Sequence, residues 1–192
     1  MFIQTEITPN PATLKFIPEA RVLESGTREF SSKEEAKKSV LAEKIFENDA
    51  VKNVFFGQNF ITVTKDNNFE WDVLKPDILS KIMDFFSSNI PILNNDSEEE
   101  KTTLEEDEKY SKEDLGIVEQ IKNLLEEKIK PAVAQDGGDI SFVKFKEGIV
   151  YLVLRGSCAG CPSSQITLKS GIENMFKYYI PEIISVEAVN DS

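Results

Sequence analysis

Between Asn94 and Asp114 the chain runs Asn-Asn-Asp-Ser-Glu-Glu-Glu-Lys-Thr-Thr-Leu-Glu-Glu-Asp-Glu-Lys-Tyr-Ser-Lys-Glu-Asp, and only Leu104 and Tyr110 offer a side chain to bury. A stretch so acidic repels itself and cannot offset its ordering entropy by burial. It divides the 192 residues into two patterned halves, each able to build only a modest core. The expected fold class is therefore α+β. Two small mixed domains, residues 1–93 and 115–192, are joined by a flexible acidic linker over 94–114. A solvated extension of the following helix is the alternative reading of that linker.

In the first half, Met1 to Glu6 reads as a strand from the start and Thr13 to Ile17 as another. Ser32-Lys33-Glu34-Glu35 has the form of a capping box and opens one predicted helix through Ala36, Val40, Leu41 and Ile45. Val51 to Phe56 and Phe60 to Thr64 are rich in branched and aromatic residues, with Gly57-Gln58-Asn59 as the turn of a hairpin. Trp71, Leu74, Ile78, Ile82 and Phe85 recur at steps of three and four and mark one helical face. Pro76 is tolerated in a first turn, which sets the predicted start of that helix near Lys75. A small domain needs this stripe as core, and the half shows no site chemistry of its own.

In the second half, Leu115, Val118, Ile121, Leu125 and Ile129 mark an amphipathic helix, which Pro131 is expected to stop. Asp136-Gly137-Gly138-Asp139 is a turn leading into a strand from Ile140 to Lys146. Glu147-Gly148 then turns the chain into Ile149 to Leu154, an apolar run suited to a strand buried on both faces. A cysteine loop follows. Pro162 opens a helix through Ile166, Ile172, Met175 and Phe176, Pro181 ends it, and Ile183 to Val189 makes the last strand. The order is helix, strand, strand, cysteine loop, helix, strand.

Composition narrows the chemistry. The 22 basic and 34 acidic side chains give a net charge of −12, and no stretch concentrates enough Lys and Arg to neutralise a row of phosphates, so nucleic acid is not an expected partner. No apolar run approaches the roughly 20 residues of a spanning helix, and no membrane role is expected. Histidine is absent, which removes the commonest general acid/base, the Ser/His and Cys/His nucleophile pairs and every zinc site that needs imidazole. Conventional hydrolase chemistry is therefore not expected. The amino terminus has neither the basic start and apolar centre of a secretory signal nor an Arg-rich transit pattern. The expected compartment is the bacterial cytoplasm, or the mitochondrial matrix for a processed form.

Cys158 and Cys161 are the two cysteines of the chain, in Gly156-Ser157-Cys158-Ala159-Gly160-Cys161-Pro162. Two thiols three residues apart on one tight turn can point at a common centre, and the flanking glycines release the backbone. The free amides and positive dipole end of the following helix are expected to favour thiolate. Neither thiol is expected to serve as core. Two sulfurs are half of a coordination sphere, so the missing ligands must come from elsewhere, most simply from a second copy of the chain. A 4Fe-4S cluster bridging two chains, each giving Cys158 and Cys161, fits best. Such a site is expected to be exposed and its cluster easy to hand over. Zinc across a dimer and a dithiol redox centre stay open, although a thioredoxin-like fold carries its motif early, with most of its sheet after it.

The residues Asp136-Gly137-Gly138-Asp139-Ile140, Gly156 to Ser164, Thr167-Leu168-Lys169 and Gly171-Ile172-Glu173 closely resemble the carboxy-terminal NifU-like domain of the Nfu iron-sulfur scaffold and carrier proteins. The first half resembles the amino-terminal domain of the same family in Thr8 to Phe16, Val54 to Gly57 and Phe60 to Lys65. The resemblance implies an α-β-β-α-β second domain, with a 4Fe-4S cluster held between two subunits by the cysteines that match Cys158 and Cys161. It further implies assembly or delivery of that cluster to apoproteins, upstream cluster-assembly proteins as partners, and a first domain that assists partner recognition or stability without ligating metal. Two departures stand out: Ser39-Val40-Leu41-Ala42 where Ser-Pro-Leu-Ala is the family pattern, and Ser157 where Ala is frequent. Neither removes a ligand.

Overall fold

Branched and aromatic side chains fill Thr13–Pro18 (β2), Val51–Phe56 (β4) and Ile61–Lys65 (β5), the kind of surface that a half-buried pleated sheet favours. Together with Ile3–Ile7 (β1) and Arg28–Phe30 (β3) they form an antiparallel sheet in the order β1-β2-β5-β4-β3. The computed structural model describes residues 2–88, 90–93, 110–159 and 162–189. It divides into two units between residues 100 and 101. Of the linker expected over 94–114, residues 94–109 lie outside the described residues. The remainder departs from the expectation: Ser111 caps a helix that already begins at Lys112. Tyr110 packs against the second core, and its hydroxyl oxygen accepts the Phe145 N–H at 3.2 Å.

In the first unit, helices Val40–Phe46 (α2) and Trp71–Ser87 (α3) lay Leu41, Ile45, Leu74, Ile78, Ile82 and Phe85 onto Phe16, Val54, Phe56, Ile61 and Val63. The predicted hairpin is present, closed by the Gly57 N–H donating to the Phe60 carbonyl at 2.9 Å. The single helix predicted from Ser32 to Ile45 is instead two. Lys33–Ala36 (α1) stops, and Ser39 starts α2 afresh, its hydroxyl accepting from the Ala42 N–H at 3.3 Å and donating to the Ile92 carbonyl at 2.6 Å. A buried serine that can satisfy an orphan amide favours a new cap over a continued helix. Helix α3 also begins earlier than Lys75. Its first turn closes on the Glu70 carbonyl, and Trp71 is anchored by its indole N–H donating to the Pro11 carbonyl at 3.1 Å. Pro76 therefore sits in the second turn, where it forgoes one intrahelical bond that the packing of the stripe outweighs.

The second unit holds Lys112–Leu124 (α4), a π-helical turn over Leu125–Ile129, Lys130–Gln135 (α5), Gly138–Lys146 (β6), Ile149–Gly156 (β7), Pro162–Tyr179 (α6) and Ser185–Val189 (β8). The sheet order is β6-β7-β8, with β6 antiparallel and β8 parallel to β7. The predicted element order is the observed one. Pro131 does not stop the helix, which continues to Gln135. The wider π turn just before Pro131 relieves the clash and the missing donor that end an ordinary α-helix there.

The β6–β7 turn has Glu147 at φ 51° and Gly148 at φ 78°, the two positive values that a tight two-residue hairpin needs. Strand β7 is buried on its second face only in part, at Val153, and not along its length as expected. Val150 and Leu152 enter the core, whereas Ile149 and Tyr151 remain partly exposed on the other side, with the Lys144 ammonium 4.9 Å from the Tyr151 ring centre. Glu173 on α6 ties the last strand in place by accepting the Val186 N–H at 3.1 Å, and its pairing with Lys177 helps to lower its pKa.

Ser39→Ala removes both a cap and a buried donor, and it should lower the stability of the first unit by about 1–2 kcal/mol. Urea unfolding followed by the fluorescence of Trp71 reads this unit alone, since Trp71 is the sole tryptophan. An unchanged midpoint would show that the cap contributes nothing.

Candidate metal centre at the cysteine loop

The cysteine loop is fastened before it is functional. Strand β7 ends at Gly156, which pairs with Gly138 at the start of β6 and takes φ 64° to leave the ladder. Gly137, at φ 81°, turns the end of α5 into β6, its N–H donating to the Ala134 carbonyl at 3.0 Å. Ser157 then binds this corner twice: its N–H donates to the Gly137 carbonyl at 3.2 Å, and its hydroxyl donates to the Asp136 carbonyl at 2.6 Å. The Ala159 N–H closes the next turn on the Gly156 carbonyl at 3.1 Å. Oppositely charged Asp139 and Arg155 face each other across the ladder one step away, and Arg155 Nη1 donates to the Ser141 hydroxyl at 2.8 Å.

Cys158 is a reduced thiol that is only 5% exposed, and it belongs to the core cluster of the second unit with Ile129, Val133, Ile140 and Ile172. This corrects two expectations. The sulfur was expected at the surface and outside the core, yet the Ser157 fastening turns it inward. Thiolate was expected to be favoured, yet burial pushes the thiol up to about 12, with the adjacent Ser157 side chain opposing the rise and the Asp136 and Asp139 carboxylates adding to it. Desolvation of a charged sulfur outweighs the pull of a helix end. Cys161 lies outside the described residues. Among the described residues no group of three or more His, Cys, Asp and Glu side chains is arranged to hold a metal ion, and no helix is long and apolar enough to cross a membrane.

Sequence reasoning took Gly138 as a turn residue and Ser157 as a neutral replacement, and both proved to be neighbours of the sulfur. The doubled glycine carried the signal, because one glycine suffices for a turn and the second marks a close approach.

The protonated thiol favours the metal-free fold at all pH values below its unfolded pKa, ordinarily near 8.5, and that contribution is lost as pH rises toward the folded value of about 12. In metal-free Cys161→Ser protein, alkylation of Cys158 by iodoacetamide should therefore still be accelerating at pH 10. A rate that levels off near pH 9 would show an ordinary thiol.

Residues 3–89 match the family model described as "Scaffold protein Nfu/NifU N terminal", and residues 121–187 match the one described as "NifU-like domain". The human protein named "NFU1 iron-sulfur cluster scaffold homolog, mitochondrial" is 49% identical over 192 residues, covering 100% of this chain and 73% of that protein. The protein of the same name from Drosophila ananassae is 47% identical over 193 residues, 100% of this chain and 65% of its own length. A solved NifU-like protein from Saccharomyces cerevisiae is 26% identical, covering 49% of this chain and 85% of that one at a TM-score of 0.45. With both halves matched in one order and a relative aligned along the whole chain, the chain belongs to the Nfu/NifU scaffold-protein family.

Proposed function

We propose that this chain is an iron-sulfur cluster scaffold and carrier that holds a 4Fe-4S cluster between two copies of itself, through Cys158 and Cys161 of each, and delivers it to apoproteins. The observation that carries the reading is a count. The chain offers two thiols and no imidazole, both thiols in one loop, so one copy supplies two of the four ligands that such a cluster takes. The names of the relatives, all iron-sulfur cluster scaffold homologs, support the cargo. Their mitochondrial naming supports the matrix over the bacterial cytoplasm as the compartment.

The cluster is cargo and undergoes no turnover on the protein, which makes this a carrier role and not an enzymatic one. Loading replaces the thiol proton of each ligand by iron. A buried thiol that resists deprotonation is a reluctant ligand, which suits a protein that must give its cluster away. A dithiol redox centre would need the other sulfur, Cys161, as its attacking thiolate. Apoproteins and upstream assembly proteins are the partners on this reading, with the first unit assisting their recognition and residues 94–109 linking the units.

Anaerobic reconstitution with iron and sulfide should give a brown dimer with broad absorption near 400 nm, the colour of thiolate-to-iron charge transfer in clusters of this kind. Replacing either Cys158 or Cys161 by Ala should abolish both colour and dimer. The Cys158 replacement should additionally lower the thermal stability of the metal-free chain, because it empties a core position. A stable monomer carrying four irons per chain, or a cluster retained by either variant, would overturn the bridged arrangement.

A further inference from the structure

Gly138 is a glycine for want of space. Its φ is not among the positive values that explain Gly137 and Gly156. A Cβ at position 138 would lie 2.9 Å from the Arg155 carbonyl oxygen and 3.2 Å from the Cys158 Cβ, with the Cys158 Sγ nearer still. By contrast, a Cβ at Gly171 on α6 would meet nothing within 4 Å. The Arg155 carbonyl belongs to the end of the β6–β7 ladder and cannot shift cheaply, so the side chain that must yield is that of Cys158.

We infer that Gly138 is a positioning residue: it forms the seat that keeps the Cys158 sulfur inside the second unit when the chain carries no cluster, and this seating helps the cluster to leave. The inference rests on the reading of Cys158 as a cluster ligand. A sulfur shared with a second copy cannot remain in the core with 5% of its residue exposed, so loading draws it out and release lets it return. On handover the iron–sulfur bond to Cys158 breaks as a recipient thiolate forms its own bond to that iron. The recipient thiol gives up one proton, Cys158 takes one up, and no electron is transferred. Return of the neutral sulfur to an apolar seat favours the products of that exchange.

The seat is tested first without iron. In a Cys161→Ser background, labelling of Cys158 by a maleimide at neutral pH should be about tenfold faster in Gly138→Ala, since a seated thiol reacts only through local opening. Gly171→Ala should leave the rate unchanged. Val133→Ala, which opens a cavity in the same core, should lower thermal stability without matching that acceleration. Equal labelling in Gly138→Ala and Gly171→Ala, or acceleration that merely follows lost stability across all variants, would overturn the inference. If Gly138→Ala does not fold, Ser157→Ala carries the test: loss of its bond to the Asp136 carbonyl should accelerate labelling several-fold in a folded protein, and no change would overturn the seat. With both cysteines present and the cluster loaded, Gly138→Ala should surrender iron to a chelator several-fold more slowly than the unsubstituted chain. Faster surrender would refute the claim that seating aids release. Failure of the unsubstituted chain to hold iron through Cys158 would overturn the cluster reading itself and leave the labelling result standing.

Discussion

The fastening of Ser157 to the corner between α5 and β6 sets how the chain leaves the hairpin and where the Cys158 sulfur lies. Two bonds, from its amide to Gly137 and from its hydroxyl to Asp136, join the end of the hairpin to the end of the helix that covers it. They sit where two glycines, 137 and 156, adopt conformations that other residues resist. The consequence is that residues 157–159 are set in place by backbone geometry. Cys158 is carried inward by that geometry, and its neighbours are apolar side chains of the core. The chemistry of the sulfur follows from the fold around it.

On the proposed function, this arrangement reconciles two demands that a carrier places on its ligands. A ligand must be able to bind iron, which needs a thiolate, and it must be able to let go. A thiol held at the surface by a helix end would meet the first demand well and the second poorly. Burial shifts Cys158 toward the protonated form, so on that reading its bond to iron would compete with a comfortable alternative for the sulfur. The first unit carries no cysteine. Its polar residues are largely spent on its own sheet and caps, as in the Thr13–Thr64 hydroxyl pair at 2.7 Å and the Lys15–Glu6 ion pair at 3.3 Å.

Much of the fold is legible because local signals agree with tertiary ones. The Glu147-Gly148 turn, the Gly57 to Asn59 turn and the stripe from Trp71 to Phe85 each satisfy backbone and core at once. The misread boundaries share a cause. Pro76 and Pro131 were weighed by what each does in an isolated helix and Ser39 was given no part in starting one, and each reading was overruled by the surrounding structure. Trp71 anchors the first turn ahead of Pro76 through Pro11. A π turn absorbs Pro131 so that Val133 can reach the core. Ser39 begins a new helix because the Ile92 carbonyl lies within reach of its hydroxyl.

Residue types and their spacing alone determined that the chain is two small α+β units, that its two cysteines share one loop, and that catalysis or zinc binding through imidazole is excluded. These are counts and periodicities, which survive any arrangement in space. Where the Cys158 sulfur points was decided only by tertiary structure. Sequence places a thiol beside a helix start, a setting that lowers its pKa, but the fold folds that thiol against Gly138 in an apolar core, which raises it. The charge state of a group depends on the medium around it, and that medium is assembled from residues as far apart as Ile129 and Ile172.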